Sequence, residues 1–472
     1  MSALARLVFP ALRWRARTRF EHERRRIEET LRLGVGGYIV FGGEAAAVRA
    51  LVRDLRVAAP HPLLIASDLE RGAAQQFPDL THLPPPAALG FIGRYDLTAR
   101  CGAITAAEAL SVGVNWVYAP VADLDLEPDN PIVQTRSFGD EPVAVGEHVA
   151  AWVRAAETAG VITTAKHYPG HGRTTADSHN TLPVVDVPRE ELATRDLEPF
   201  RAAIQAGTRS VMSAHVAYPQ WDAGARPASL SEPILHDLRL LGFDGVIVSD
   251  ALIMEGVLRG RGEAGVVVEA VAAGVDALLY PRDAVRVANA LEGALGGRLP
   301  AARADDALAR VARVAEAAQA GSNLAPAPVN DHATFADAVA DLAIHTLRGE
   351  QLALREPVEI AVVDDDVGGP YTVGPRGVFA RALRDGGVTV AAAGSRVILI
   401  YAEPRSWKGR ASLGARSLEA LRRLLPRSSL VILFGHPRLL SQIGGDVPVI
   451  CAWHGQPLMQ RGAARWVMGR MR

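Results

Sequence analysis

Fifteen residues, Ala165 to His179, hold Lys166, His167, His171, Arg173, Asp177 and His179. Asp177 stands two positions before His179. In an extended segment such residues point the same way, so the carboxylate can bond one ring nitrogen and leave the other facing a substrate. That arrangement fixes the tautomer and favours the imidazolium, which makes a proton shuttle near neutral pH. The plainer alternative is a loop histidine bonded to a neighbouring aspartate. A second group is Asp250, which closes the apolar run Val246-Ile247-Val248-Ser249. A carboxylate held there can attack an electrophilic carbon, or simply cap the next helix. Arg136, in the loop Gln134–Asp140, joins Lys166 and Asp68 as hydrogen-bond donors and acceptors for a polyhydroxylated ligand; a surface salt bridge is the alternative for Arg136. His167 and His171 are four apart, but Pro169-Gly170 between them excludes the helix that would present both to a zinc ion. No metal or cofactor is expected, and no glycine loop opens a helix to cradle phosphate.

These groups need a scaffold that brings distant residues to one place. Apolar, strand-like runs at 6–12, 37–41, 62–68, 114–119, 161–167, 210–215, 245–250 and 276–280 alternate with helical patterns at 18–33, 45–58, 97–110, 143–159, 189–206, 232–240, 262–273 and 283–295. Continuous apolar strands are expected where a parallel sheet is covered on both faces. Eight such units predict an α/β fold, a (β/α)8 TIM barrel, with an open doubly wound sheet as the alternative. Asp68, Asp123, Lys166, His167, His215 and Asp250 then fall at strand C-termini, which share one mouth in a barrel.

The chain has 472 residues, 49% of them hydrophobic, so more than one domain is expected. The predicted divisions are a barrel over 1–322, a linker and connecting helix over 323–348, and a shortened α/β sandwich-like domain over 349–472. Within the last, strands are expected at 358–364, 388–393, 396–401, 429–434 and 447–452, with helices at 378–384, 415–425 and 457–469; the connecting helix is expected at 333–347. A net charge of −1 gives no field favouring nucleic acid or an anionic membrane. No signal peptide or membrane-spanning helix is read. Two cysteines, Cys101 and Cys451, provide no disulfide framework, which fits a reducing, cytoplasmic setting. Of the 51 basic side chains only Lys166 and Lys408 are lysine, so a lysine in the polar loop hints that a compact ammonium is needed there.

Lys166-His167-Tyr168-Pro169-Gly170-His171-Gly172, followed by Asp177-Ser178-His179, resembles glycoside hydrolase family 3, in its bacterial β-N-acetylglucosaminidase branch. So do Ala119–Asp125, Arg136–Asp140 and Asp244–Leu252, in the same order and spacing. The resemblance covers most of residues 1–320. It implies a retaining, exo-acting β-N-acetylhexosaminidase that removes terminal β-linked GlcNAc from an oligosaccharide or small glycan, such as a cell-wall muropeptide. By resemblance Asp250 is the nucleophile and His179, paired with Asp177, the acid/base. Asp68, Arg136, Lys166 and His167 hold the sugar. A β-glucosidase or GlcNAc phosphorylase of the same fold, and a non-catalytic glycan-binding descendant, are the alternatives. The expected assembly is a monomer or homodimer. One segment departs from the family: where it typically reads Asp-Gln-Glu-Gly-Gly-Arg-Val-Gln-Arg, this chain has Asp68-Leu69-Glu70-Arg71-Gly72-Ala73-Ala74-Gln75-Gln76.

Overall fold

The computed structural model describes residues 3–258, 260–322, 331–349, 354–369 and 373–471. The linker expected from residue 323 falls, over 323–330, outside them. One compact unit gathers His82–Arg94, Asp125–Gly139 and Asp331–Arg472; the other gathers the rest.

That other unit is a closed parallel barrel. Its strands are β1 (Val8–Phe9), β2 (Ala11–Arg13), β3 (Gly37–Phe41), β4 (Leu64–Ser67), β5 (Trp116–Val117), β6 (Ile162–Tyr168), β7 (Ser210–Ser213), β8 (Val246–Ser249) and β9 (Leu278–Leu279). β2 through β8 form one seven-stranded sheet. Pro10, which lacks an N–H, splits the first strand in two. Its first piece, β1, pairs with β9, and its second, β2, pairs with β3. A bridge from Val248 to Ala277 joins β8 to β9. The first strand therefore closes the sheet on itself. Following Cα partners once around from Ala11 returns to Ala3, the stagger of eight residues that an eight-stranded barrel requires.

The register also fixes which side chains point inward. Phe9 and Trp116 meet edge to face inside the barrel, ring centroids 5.3 Å apart. Phe9 is partnered with Leu279, and Ala11 leads through Ile39 and Ala66 to Trp116 and Ile162. Side chains alternate with period two. Further inward positions towards the C-terminal ends are therefore Arg13, Phe41, Asp68, Tyr118 and, on β6 beyond the inward Thr164, Lys166, and on β8 the inward Val246 and Val248 lead to Asp250.

Two helical details differ from the sequence pattern. The stretch 189–206 is two helices, Arg189–Thr194 and Glu198–Gln205. Pro199 opens the second, and the intervening Asp196 carboxylate binds Arg173 at 3.0 Å. After the eighth unit a further helix, Ala301–Ser322, packs on the turn Ala3–Leu7.

The second unit carries a five-stranded sheet, β10 (His345–Arg348), β11 (Val358–Asp364), β12 (Ser395–Ala402), β13 (Ser428–Gly435) and β14 (Val449–Cys451), in the order β10-β14-β13-β12-β11. All neighbours are parallel except β10, which runs antiparallel to β14. One face packs Ile398, Ile400, Val431 and Leu433 against Leu421 and Leu439. Helices His332–Ala343, Val378–Asp385 and Pro457–Met468 pack together as a separate layer. The strand expected at 388–393 is absent: only Val390 bridges, to Val358. The expected helix 333–347 stops at Ala343, whose carbonyl accepts the Trp453 indole N–H at 3.0 Å and lies 3.0 Å from His345 Nδ1. Those contacts turn the chain onto the sheet edge as β10.

Candidate active site

Lys166, inward on β6, is 2% exposed. Its Nζ lies 2.9 Å from Asp68 Oδ1 and 2.7 Å from Glu70 Oε1. Burying an ammonium is tolerable only with such partners. Glu70 belongs to the segment that departs from the family pattern. The lysine orients Asp68, and Asp68 in turn helps push the buried Tyr118 hydroxyl, already raised by burial, to a higher pKa.

His167 follows. Its Nδ1 is 2.7 Å from Asp123 Oδ2, and its N–H donates to Asp123 Oδ1 at 3.1 Å. The same Oδ1 accepts the His171 N–H at 2.6 Å. Burial would raise the Asp123 carboxyl, but His167, His171 and these donors hold it below the ordinary range. Asp123 thus pins the start of the loop to the end of β6. Sequence reasoning places it at a strand end but leaves out this pairing. His171 is neutral, pushed down to about 4 by burial and by His167. Its ring nitrogens lie 2.8 Å from Thr174 Oγ1 and 3.0 Å from Ser178 Oγ. It is a strut across the loop.

At the loop's far end, Asp177 Oδ1 accepts both the His179 N–H and, at the same 2.8 Å, faces His179 Nδ1. The segment is not extended. Asn180 and Thr181 donate back to the Asp177 carbonyl at 3.0 and 3.1 Å, so 177–181 is a turn. An aspartate bonding the backbone two residues on is the usual device of such turns, and it brings the imidazole to the same carboxylate. Asp177 is buried, while the His179 side chain is 45% exposed. The turn rests on the helix Glu255–Leu258: Gly256 N–H donates to Ser178 O at 3.0 Å, and Glu255 N–H to His179 O at 3.3 Å.

Asp250 completes the set. Its Oδ1 accepts the Ala251 N–H at 2.7 Å. Burial alone would raise its carboxyl, but His215, His167, His179 and that N–H together bring it down to about 2. His215, His167 and His179 thus lie close enough to favour the charged form of Asp250, which is the ionised carboxylate at neutral pH. His215, missed as a partner by sequence, is fixed by Ser229 Oγ at 2.7 Å from Nδ1 and Ala251 O at 3.2 Å from Nε2; burial lowers its pKa. A cavity of about 470 Å³ opens immediately beyond His179, against Asn180, Thr181, Ala217 and Glu255.

Arg136 belongs to the second unit. It ends the turn Gln134–Arg136 within the 125–139 segment of the second unit, half-buried, with Nη1 3.5 Å from Ile132 O. Among the described residues no group of three His, Cys, Asp or Glu is arranged to hold a metal ion, and no helix is long and apolar enough to cross a membrane.

A parallel barrel with an ionised aspartate, an Asp–His pair and a lysine-braced carboxylate at the strand C-termini is the frame of a glycoside hydrolase. Residues 7–314 match the glycosyl hydrolase family 3 N-terminal domain, and the chain belongs to that family. It is 37% identical over 269 residues to a β-hexosaminidase of Thiobacillus denitrificans, covering 54% of this chain and 72% of that one. It is 34% identical over 262 residues to a β-N-acetylglucosaminidase/β-glucosidase of Cellulomonas fimi, covering 53% of this chain and only 46% of that protein's length. The structure is similar, with a TM-score of 0.86 and 26% identity, to a family 3 β-N-acetylglucosaminidase from Paenibacillus sp. str. FPU-7, over 100% of this chain and 96% of the other.

Proposed function

We propose that the chain is an exo-acting, retaining β-N-acetylhexosaminidase that removes terminal β-linked GlcNAc from small glycans. The observation that carries this reading is the state of Asp250: inward, ionised, and within the field of His179 on a separate loop. Asp250 Oδ1 is engaged by Ala251, which leaves Oδ2 to attack the anomeric carbon. As the carbon–oxygen bond to the leaving group breaks, His179 delivers its Nε2 proton to the departing oxygen. Its Nδ1 proton stays on the ring, hydrogen-bonded to Asp177, whose charge steadies the imidazolium. The product is a glycosyl ester of Asp250. In the second half, His179 takes a proton from water, the water oxygen attacks the same carbon, and the carboxylate is released with retained configuration. Asp68, Lys166 and His167 are the proposed holders of the sugar hydroxyls.

The test is trapping. A 2-fluoro glycosyl donor should label one peptide, and mass spectrometry should place the label on Asp250. Labelling elsewhere, or full activity of Asp250→Ala, overturns the assignment. Turnover of p-nitrophenyl β-GlcNAc against the β-glucoside, with and without phosphate, sorts the sugar and the acceptor.

A further inference from the structure

The barrel mouth holds an inward cation that the mechanism above leaves unused. Arg13 ends β2, and its Cα partner across the sheet is Phe41 at the end of β3. The guanidinium carbon lies 4.5 Å from the Phe41 ring centroid and 5.0 Å from that of Tyr280. Nε donates to Tyr280 Oη at 2.6 Å. The backbone is anchored too: Arg13 N–H donates to Glu23 Oε1 at 3.1 Å, and Trp14 N–H to Phe41 O at 2.8 Å. Nη1 and Nη2 meet no acceptor among the described residues, and the side chain is only half-buried.

This geometry is unusual for a residue that only braces the fold. A structural arginine at a strand end normally spends its Nη groups on carbonyls or carboxylates. Here the stiff part of the side chain is held on two rings and the forked donor end is left unspent. A guanidinium so held loses little freedom on making two further bonds. Its position is beside the reacting groups. Leu279 N–H donates to Ser249 Oγ at 3.1 Å and Leu279 O accepts Leu252 N–H at 3.0 Å, so Tyr280 directly follows the strand that brackets Asp250.

We infer that Arg13 is a specificity-determining donor of the mouth, its two Nη groups hydrogen-bonding a pair of oxygens on the terminal, uncharged sugar. The carboxylates Asp68, Glu70 and Asp250 around the mouth disfavour an anionic sugar. The inference rests on the glycosidase reading and adds the residue that reads the sugar's hydroxyl pattern.

Arg13→Lys keeps the charge but loses the fork and the ring contact. The substrates are p-nitrophenyl β-GlcNAc and its 3-, 4- and 6-deoxy analogues. On the parent, kcat/KM should fall roughly ten- to hundredfold, the worth of charge-assisted bonds to hydroxyls. On an analogue lacking a hydroxyl that Arg13 reads, the same substitution should cost at least about threefold less than on the parent, because one of its two partners is already gone. A loss of the same factor on every analogue, or no loss on the parent, overturns the inference. If Arg13→Lys does not fold, Tyr280→Phe keeps the ring and removes the Nε acceptor; its smaller loss should spare the same analogue, and a uniform loss counts against the role. Should the native protein hydrolyse none of these glycosides, the hydrolase reading falls and Arg13 is judged by calorimetric binding of GlcNAc and the free deoxy sugars. There, weaker GlcNAc binding by Arg13→Lys with one deoxy sugar spared supports the role, and unchanged binding overturns it.

Discussion

Replacing Lys166 with methionine tests whether the sugar-binding side of the mouth is held by a buried charge pair. The substitution keeps most of the side-chain volume and removes one positive charge. Two carboxylates lose it unequally. Asp68, 2.9 Å away, is 30% exposed and water replaces much of what it loses. Glu70, 2.7 Å away, is 4% exposed, so little water reaches it to replace the lost charge. Removing one partner of a buried pair costs about 3–5 kcal/mol. At roughly 2–4 °C of melting temperature per kcal/mol for a domain near this size, the shift is roughly 6–20 °C downward. The decisive assay is a double-mutant cycle by calorimetry or urea unfolding. Glu70→Gln in the Lys166→Met background removes the buried negative charge that Lys166 balanced and should restore part of the lost stability, although Glu70→Gln alone destabilises. If Lys166→Met melts within about 2 °C of the native protein, or if Glu70→Gln makes it worse, the reasoning is wrong.

Three further outcomes follow from the same geometry. His179→Ala should slow glycosides with poor leaving groups far more than activated aryl glycosides, which need little help from a proton; Brønsted plots of both proteins check this, and equal losses speak against proton transfer. Asp250, held down to about 2, contributes stability above the ordinary carboxylate range that is lost only as pH falls towards 2, and it stays ionised throughout. With an activated aryl glycoside, kcat/KM should therefore show no acid limb due to this carboxyl above about pH 3 wherever circular dichroism shows the protein folded; a limb between pH 4 and 6 that moves in Asp250→Glu contradicts it. Gly256→Ala would put a Cβ 2.6 Å from Ser178 O and 2.9 Å from Thr181 O. Such overpacking costs about 1–3 kcal/mol and should displace the His179 turn, giving the leaving-group dependence of His179→Ala in milder form; a loss of stability without that dependence disconnects the helix from the acid/base loop.

The barrel is legible because a covered parallel strand must be apolar along its whole length, and runs such as Val246-Ile247-Val248 can be little else. Closure is not legible. It depends on Pro10 dividing one strand between two neighbours, and no local pattern reports a pairing between Val8 and Leu278. The second sheet repeats the contrast. β11 lies where its apolar run predicts, but β10 is concealed by helix-forming residues, and the helix ends at Ala343 where His345 and Trp453, the latter more than a hundred residues on, meet its carbonyl. Val388–Ala393 has β-forming residues at its start, yet Ala391-Ala392-Ala393-Gly394 offers little side chain to pack, and pairing stops at Val390.

The candidate site divides along the same line, between local chemistry and register. Asp177 and His179 are two residues apart, and the bond between them is readable from spacing even though a turn, not an extended segment, makes it. The link of Asp123 to His167 spans 44 positions; that of Lys166 to Asp68 spans 98. Neither has a sequence signature beyond a polar residue at a strand end. What joins them is parity. Once Trp116 is known to face Phe9, the period of two around a closed sheet leaves no choice about Asp68, Lys166 and Arg13. A one-residue slip in β2 would turn Arg13 outward among the helices and bring Leu12 to the mouth, while leaving the Asp177–His179 turn untouched. The reacting half of the site is thus written in short-range chemistry and the recognising half in the barrel's register, so changes of sugar preference should arise at strand ends that no motif marks.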